Sequence, residues 1–103
     1  MLIAWTTVAT RDKAEELART AIERRVATCV QVDGPVTSHY MWQGWPERTE
    51  EFRLCFKFLT SQQKALELWL FAHHPYDTPE WIVVGAESVG EKYLSWAQTN
   101  STF

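Results

Sequence analysis

Cysteine is scarce in this sequence: Cys29 and Cys55 are the only two among 103 residues. They are too few for a disulfide framework and lack CxxC spacing, which excludes a small stapled scaffold. A hairpin turning near Pro46 would set Cys29 well out of register with Cys55, so no bond between them is expected. Both read as buried reduced thiols acting as small hydrophobes. Basic residues are also few. Ten Lys and Arg against thirteen Asp and Glu leave a formal net charge of −3, and the one adjacent basic pair is Arg24-Arg25. Without a basic stripe to neutralise phosphates, nucleic acid is not an expected partner. No apolar run approaches the roughly 18 residues of a membrane span, so no membrane partner is expected. Met1-Leu2-Ile3-Ala4-Trp5 runs directly into a strand, with no basic lead and no small-residue cleavage site, and cytoplasmic location is the expectation. Catalytic signatures are missing too: no G-x-S-x-G elbow, no glycine-rich phosphate loop and no H-x-E metal pair. Cys29 and His39 are ten apart with a bend between them, which favours a core thiol over a nucleophile pair. No enzyme is expected.

Aromatic residues are abundant: six Trp, five Phe and three Tyr. A chain of this length is a single domain, 1–103, near the lower end of the common range, and it buries a limited share of its surface. One small core cannot hold all these rings. Because aromatics are enriched at interfaces, the excess points to an oligomer or a binding cleft.

Hydrophobic periodicity then orders the elements. Leu2 to Val8 is a mostly apolar run suited to a central strand buried on both faces. Thr10 is a helix cap, and from Arg11 to Arg25 the stripe Ala14, Leu17, Ala18, Ala21, Ile22 has helical spacing. Arg11, Glu15 and Arg19 form spaced pairs on the outer face, and Arg24 and Arg25 fall in the last turn. Val26 to Val32 is a strand interrupted by Asp33-Gly34-Pro35, which implies a bulge. It resumes with Val36, Ser38, Tyr40 and Trp42 on one face. Gly44-Trp45-Pro46-Glu47 is the expected turn. Phe52, Leu54, Phe56 and Phe58 then alternate with Arg53, Cys55 and Lys57. Both arms exceed the usual length of about five or six residues, so they overhang a small sheet. Thr60-Ser61 starts a helix over Gln62 to Ala72 that is apolar on more than one stripe, and it stops at His73-His74-Pro75. Trp81 to Val84 is another buried-type strand, and Gly90 to Gln98 is a last helix. The order β-α-β-β-α-β plus a C-terminal helix is the α+β, ferredoxin-like plan with a long central hairpin.

His73-His74-Pro75-Tyr76 is the most distinctive cluster. Imidazole suits copper, zinc and nickel. Yet adjacent residues on a helix point about 100° apart, and in extended chain they face opposite sides, so two neighbouring histidines do not chelate one ion simply. Structural histidines at a helix end are the alternative, because no second His/Cys pair of metal spacing is present. Asp77 and Glu80 could orient or tune a histidine; the bland reading is turn chemistry, with Pro75 and Pro79 fixing the entry to the last strand. Lys57 beside aromatic residues would suit an anionic or planar ligand. Glu50-Glu51 reads as surface charge.

Taken together, Thr6-Thr7, Ala27-Thr28-Cys29-Val30, Thr37-Ser38-x-Tyr40-x-Trp42-x-Gly44, Lys57, His73-His74-Pro75-Tyr76-x-x-Pro79-Glu80 and Tyr93-Leu94-x-Trp96 resemble the CutA divalent-cation-tolerance family over nearly the whole chain. The resemblance implies a tight homotrimer in which the long hairpins extend each other's sheets. It also implies a role in the cellular response to divalent metal, copper or zinc, with no further cofactor. The implied metal contacts are His73 and His74. The implied intersubunit cleft is lined by Cys29, Tyr40, Trp42, Lys57, Tyr76, Glu80, Tyr93 and Trp96. Some family members carry a thiol ligand in strand one, where this chain has Trp5. The family's architecture is similar to that of the PII signalling proteins, so a PII-like effector- or partner-binding trimer with incidental metal binding is the rival expectation.

Overall fold

Seven residues of extended chain, Leu2–Val8, form β1 at the centre of the sheet in a computed structural model that describes residues 1–101. Helix α1 follows at Arg11–Glu23, β2 at Cys29–Trp42, β3 at Trp45–Phe58, α2 at Gln63–His73 after a single 3₁₀ turn, β4 at Ile82–Gly85 and α3 at Glu91–Asn100. The four strands lie in the order β2-β3-β1-β4 with antiparallel neighbours throughout, which is the expected ferredoxin-like plan. Among the described residues no helix is long and apolar enough to cross a membrane.

One face of the sheet carries the core. Ala4, Val8, Leu54, Phe56 and Phe58 meet Ala14, Leu17 and Ala21 of α1 and Leu66 and Leu70 of α2, and these side chains are almost fully buried. Thr10 caps α1 as expected, accepting from the Lys13 N–H at 3.2 Å. Gln62 closes the space between layers. Its amide oxygen accepts from the Leu59 N–H at 2.8 Å, and its nitrogen donates to the Arg25 carbonyl at 2.9 Å. The Thr28 hydroxyl lies 3.2 Å from that same amide oxygen and 2.6 Å from Ser101, so the end of α3 is tied to the start of β2.

Several expectations need correction. The turn is the pair Gln43-Gly44, both at positive φ (49° and 84°), with Trp42 facing Trp45. Two residues with positive φ match the right-handed twist of the arms, and Gly44 takes that conformation freely. Pro46 is therefore inside β3, opposite Met41, where the hairpin has an edge that needs no donor. The new register also places Cys29 opposite Lys57 and Cys55 opposite Gln31, an offset of only two residues, and both thiols remain free. Helix α1 stops at Glu23, so Arg24 is its cap and Arg25 lies beyond it at φ 58°. Ile22 is turned outward, and Arg19 reaches Glu23 rather than Glu15. Strand β1 is buried on one face only. Its other face continues into Ile82 and Val84 of β4, which are 55% and 41% exposed, with no described residue burying them. Trp81 precedes the strand; its indole N–H donates to Glu67 at 2.9 Å, and its ring meets Phe56 edge-on.

The expected bulge is present, as a register shift between Asp33 and Val36. Gly34 there has φ 146°, and its missing Cβ would lie 2.8 Å from the Phe52 ring. Arg11 donates to the Gly34 carbonyl at 3.0 Å and lies over Phe52 at 4.9 Å, holding the hairpin base to α1. Beyond this point the arms leave the sheet. Strand β1 pairs with β3 over Phe52–Phe58, so among the described residues Trp45 to Glu51 pairs with β2 alone. The overhang stretches the molecule to 46 Å along its longest axis. Trp42 and Trp45 at its tip are 52% and 73% exposed, so the surplus aromatics do lie outside the core.

Candidate functional site

The end of α2 separates the two histidines. Pro75 disfavours helical backbone at the residue before it, and His74 accordingly turns to extended backbone (φ −68°, ψ 133°) while its N–H donates to the Leu70 carbonyl. That turn swings the two rings into different surroundings. The His74 ring is buried. Its Nδ1 accepts from the Tyr76 N–H at 3.1 Å, which leaves the ring proton on Nε2. Nε2–H points at the Thr7 carbonyl, 3.1 Å away, and at the Thr6 hydroxyl, 2.9 Å away. Burial lowers the His74 pKa below its ordinary value, only partly opposed by the Thr7 carbonyl. Both nitrogens are committed, so His74 here is a latch between α2 and β1.

His73 is the last helical residue and is exposed. Its Nδ1 donates to the Trp69 carbonyl at 2.8 Å, and its ring stacks on Trp69 at 5.6 Å. A histidine whose Nδ1–H is held by a carbonyl has a fixed tautomer, with a bare lone pair on Nε2. Of the two sequence candidates, His73 is the one with a nitrogen open to a ligand. Among the described residues no group of three or more His, Cys, Asp or Glu comes together to hold an ion.

The cleft residues fall in two places. Tyr40, Trp42, Tyr76 and Glu80 line a groove of about 880 Å³ beneath the overhanging hairpin. Tyr76 spans it, donating to Glu51 at 2.9 Å; burial and this carboxylate raise the tyrosine's pKa well above its usual range. Sequence reading did not bring His39, Glu47, Glu50 or Glu51 to the site; they line the groove too, as does Asp77, which was read only as a neighbour of the histidines, and the carboxylates make it acidic. The alternation of β2 and β3 contained that signal, but Glu50-Glu51 looked like solvated charge until the loop after α2 folded over it.

Cys29, Lys57, Tyr93 and Trp96 lie apart from the groove, around the uncovered sheet face. Lys57 is opposite Cys29. Tyr93 of α3 packs against Trp96 at 5.5 Å and lies near Cys29. Burial raises the Tyr93 pKa, with the Cys29 thiol adding to the shift. Cys55, directly opposite Trp5 on the same face, has its thiol pushed up by burial and pulled back by Lys57.

Residues 2–100 match the family described as CutA1 divalent ion tolerance protein. The chain belongs to this family. The divalent-cation tolerance protein CutA of Yersinia pestis (strain Pestoides F) is 39% identical over 83 residues, covering 81% of this chain and 70% of that protein. Among solved structures, CutA from Synechococcus elongatus PCC7942 is 35% identical with a TM-score of 0.94, over 98% of this chain and 89% of the other. CutA from Xylella fastidiosa is 32% identical with a TM-score of 0.93, over 98% and 97% of the two chains. The CutA1 protein of Ehrlichia chaffeensis keeps the same fold at 22% identity, with a TM-score of 0.94 over 99% and 95% of the two chains.

Proposed function

We propose that this chain is a non-enzymatic, cytoplasmic CutA-type homotrimer that binds Cu(II) or a similar divalent ion, zinc included, in the cellular response to metal. The observation that carries the metal reading is the exposed His73 ring, fixed by its bond to Trp69 so that Nε2 is free. Imidazole suits Cu(II) and Zn(II), and Trp5 in place of a strand-one thiol removes a soft ligand that would favour Cu(I) at that place. The other ligands would be water or groups of a neighbouring subunit. His74 serves this centre by holding the corner in shape, not by coordination.

Assembly is supported by two unfinished features of the chain. Ile82, Val84, Tyr93 and Trp96 leave apolar surface exposed around the open face. The overhanging arms and the outer edge of β4 present unpaired strand edges, a hazard that pairing with sister subunits removes. In such an assembly the groove residues Tyr40, Trp42, Tyr76 and Glu80 and the face residues Cys29, Lys57, Tyr93 and Trp96 would line clefts between subunits. The PII-like alternative of a small anionic effector fits the groove poorly, because Glu47, Glu50, Glu51, Asp77 and Glu80 all border it.

Calorimetric titration of Cu(II) and Zn(II) into wild type, His73→Ala and His74→Ala tests the metal reading. Loss of binding in His73→Ala, with binding kept in folded His74→Ala, is the expected result; equal affinity in wild type and His73→Ala overturns it. A monomeric mass by light scattering overturns the trimer.

A further inference from the structure

The uncovered sheet face carries a second set of metal-capable groups, apart from the histidine corner. Cys29 stands opposite Lys57, and Cys55 stands between Gln31 on β2 and Trp5 on β1. Lys57 and Cys55 are two apart on β3, so the two thiols project to the same side as diagonal cross-strand neighbours. Such residues have Cα atoms about 7–8 Å apart, with Cβ atoms somewhat closer. That separation is at or beyond the limit for a disulfide without backbone movement, and both thiols are free. It suits two sulfurs joined through one ion, since metal–sulfur bonds of about 2.3 Å set the sulfurs roughly 4.6 Å apart.

We propose that Cys29 and Cys55 form a two-thiolate site for a soft monovalent d¹⁰ ion of the Cu(I) or Ag(I) type, with one sulfur from each arm of the hairpin base. The ligand count selects the ion. Structural zinc takes four ligands, and no third His, Cys, Asp or Glu joins this pair among the described residues. Soft thiolates prefer soft ions, and monovalent d¹⁰ ions accept two ligands. Charge selects it as well. Two thiolates around a monovalent ion carry one net negative charge, and Lys57 lies directly opposite Cys29 and next but one to Cys55 on the same face. Burial raises the Cys55 thiol's pKa and favours its protonated form when no ion is bound, and a thiol that binds the ion as thiolate gives its proton up to solvent.

Silver(I) is the probe, titrated in chloride-free buffer into the intact protein while a chromogenic thiol reagent counts the cysteines still open. One silver ion per chain is expected to close both thiols. Cys29→Ser and Cys55→Ser each destroy the chelate, and each is expected to weaken silver binding about a hundredfold or more in competition with a small thiol. If Cys55→Ser does not fold, Cys55→Val keeps an apolar side chain on the face and makes the same test. His73→Ala leaves silver binding unchanged, so the thiol site and the His73 centre stand or fall separately. Two silver ions per chain in His73→Ala, single cysteine variants with wild-type affinity, or a native protein that takes up no silver would each overturn the proposal.

Discussion

Replacing His74 with alanine isolates the latch from the metal chemistry. The ring makes three polar contacts: it accepts from the Tyr76 N–H at 3.1 Å and approaches the Thr7 carbonyl at 3.1 Å and the Thr6 hydroxyl at 2.9 Å. It also packs against the Tyr76 ring at 5.1 Å. Truncation strands the Thr7 carbonyl and the Tyr76 N–H in a largely dry site, at about 1–3 kcal/mol each. Water entering the vacated space recovers part of this, so the expected loss is about 2–4 kcal/mol. Urea unfolding at one fixed chain concentration measures it, because an assembling protein's stability depends on concentration. The pH dependence gives a second signature. A protonated ring would carry a hydrogen on Nδ1, facing the Tyr76 donor, and burial already disfavours the charge, so the folded-state pKa lies below the ordinary 6.5. The unfolded chain therefore binds the proton first as the solution is acidified. His74's contribution is complete above pH 6.5 and declines as pH falls from there through the lowered folded value. His39 and His73 remain in both proteins and cancel in the comparison. The gap between wild type and His74→Ala should be flat above neutrality and narrow toward about pH 5. A gap below about 0.5 kcal/mol, or one that widens in acid, refutes the latch.

Two further substitutions test how the hairpin and the layers are held. Gly34→Ala places a methyl group 2.8 Å from the Phe52 ring and 3.0 Å from the Glu51 carbonyl, at φ 146°; the expected loss is about 2–4 kcal/mol by urea unfolding, and a loss under 1 kcal/mol would show that the bulge yields. Gln62→Leu keeps the volume but orphans the Leu59 N–H and the Arg25 carbonyl; a loss of about 2–4 kcal/mol is expected, and unchanged stability would mean that water replaces the amide.

Elements with a strong period were legible from the sequence because burial on one face leaves its mark on every second or every third and fourth residue. The Phe52-to-Phe58 alternation and the Ala14–Ala21 stripe are of this kind, and the strand order followed from them. The turn was misplaced by the weight given to Pro46. A proline on an edge needs no partner for its missing N–H, whereas the twist of long arms demands two residues with positive φ, and Gln43-Gly44 supplies them. A residue pattern alone could not separate His73 from His74. Their roles depend on which ring the Pro75 turn sends toward β1, and β1 is 67 residues away from His74 at Thr7. The acidic groove was hidden for the same reason: it exists only where the loop after α2 meets the hairpin.

The eight cleft residues named from the resemblance show what a single chain can and cannot assemble. Four line the groove, and the other four surround the open face. Within one chain nothing joins the two sets, because the groove lies under the overhang while Cys29 and Lys57 lie at the base of the same hairpin. On the proposed assembly, an arm that overhangs one subunit would reach the sheet edge of the next, bringing its groove residues beside that subunit's face residues. The bulge at Gly34 then has a mechanical meaning. Arg11 clamps the hairpin there and β1 pairing ends there, so on that assembly the angle of the bulge would set where the arm points and how many copies close the ring. Loosening that angle should therefore alter the assembled mass before it unfolds the core, since Phe56, Phe58 and Leu66 are buried within the chain itself and need no partner.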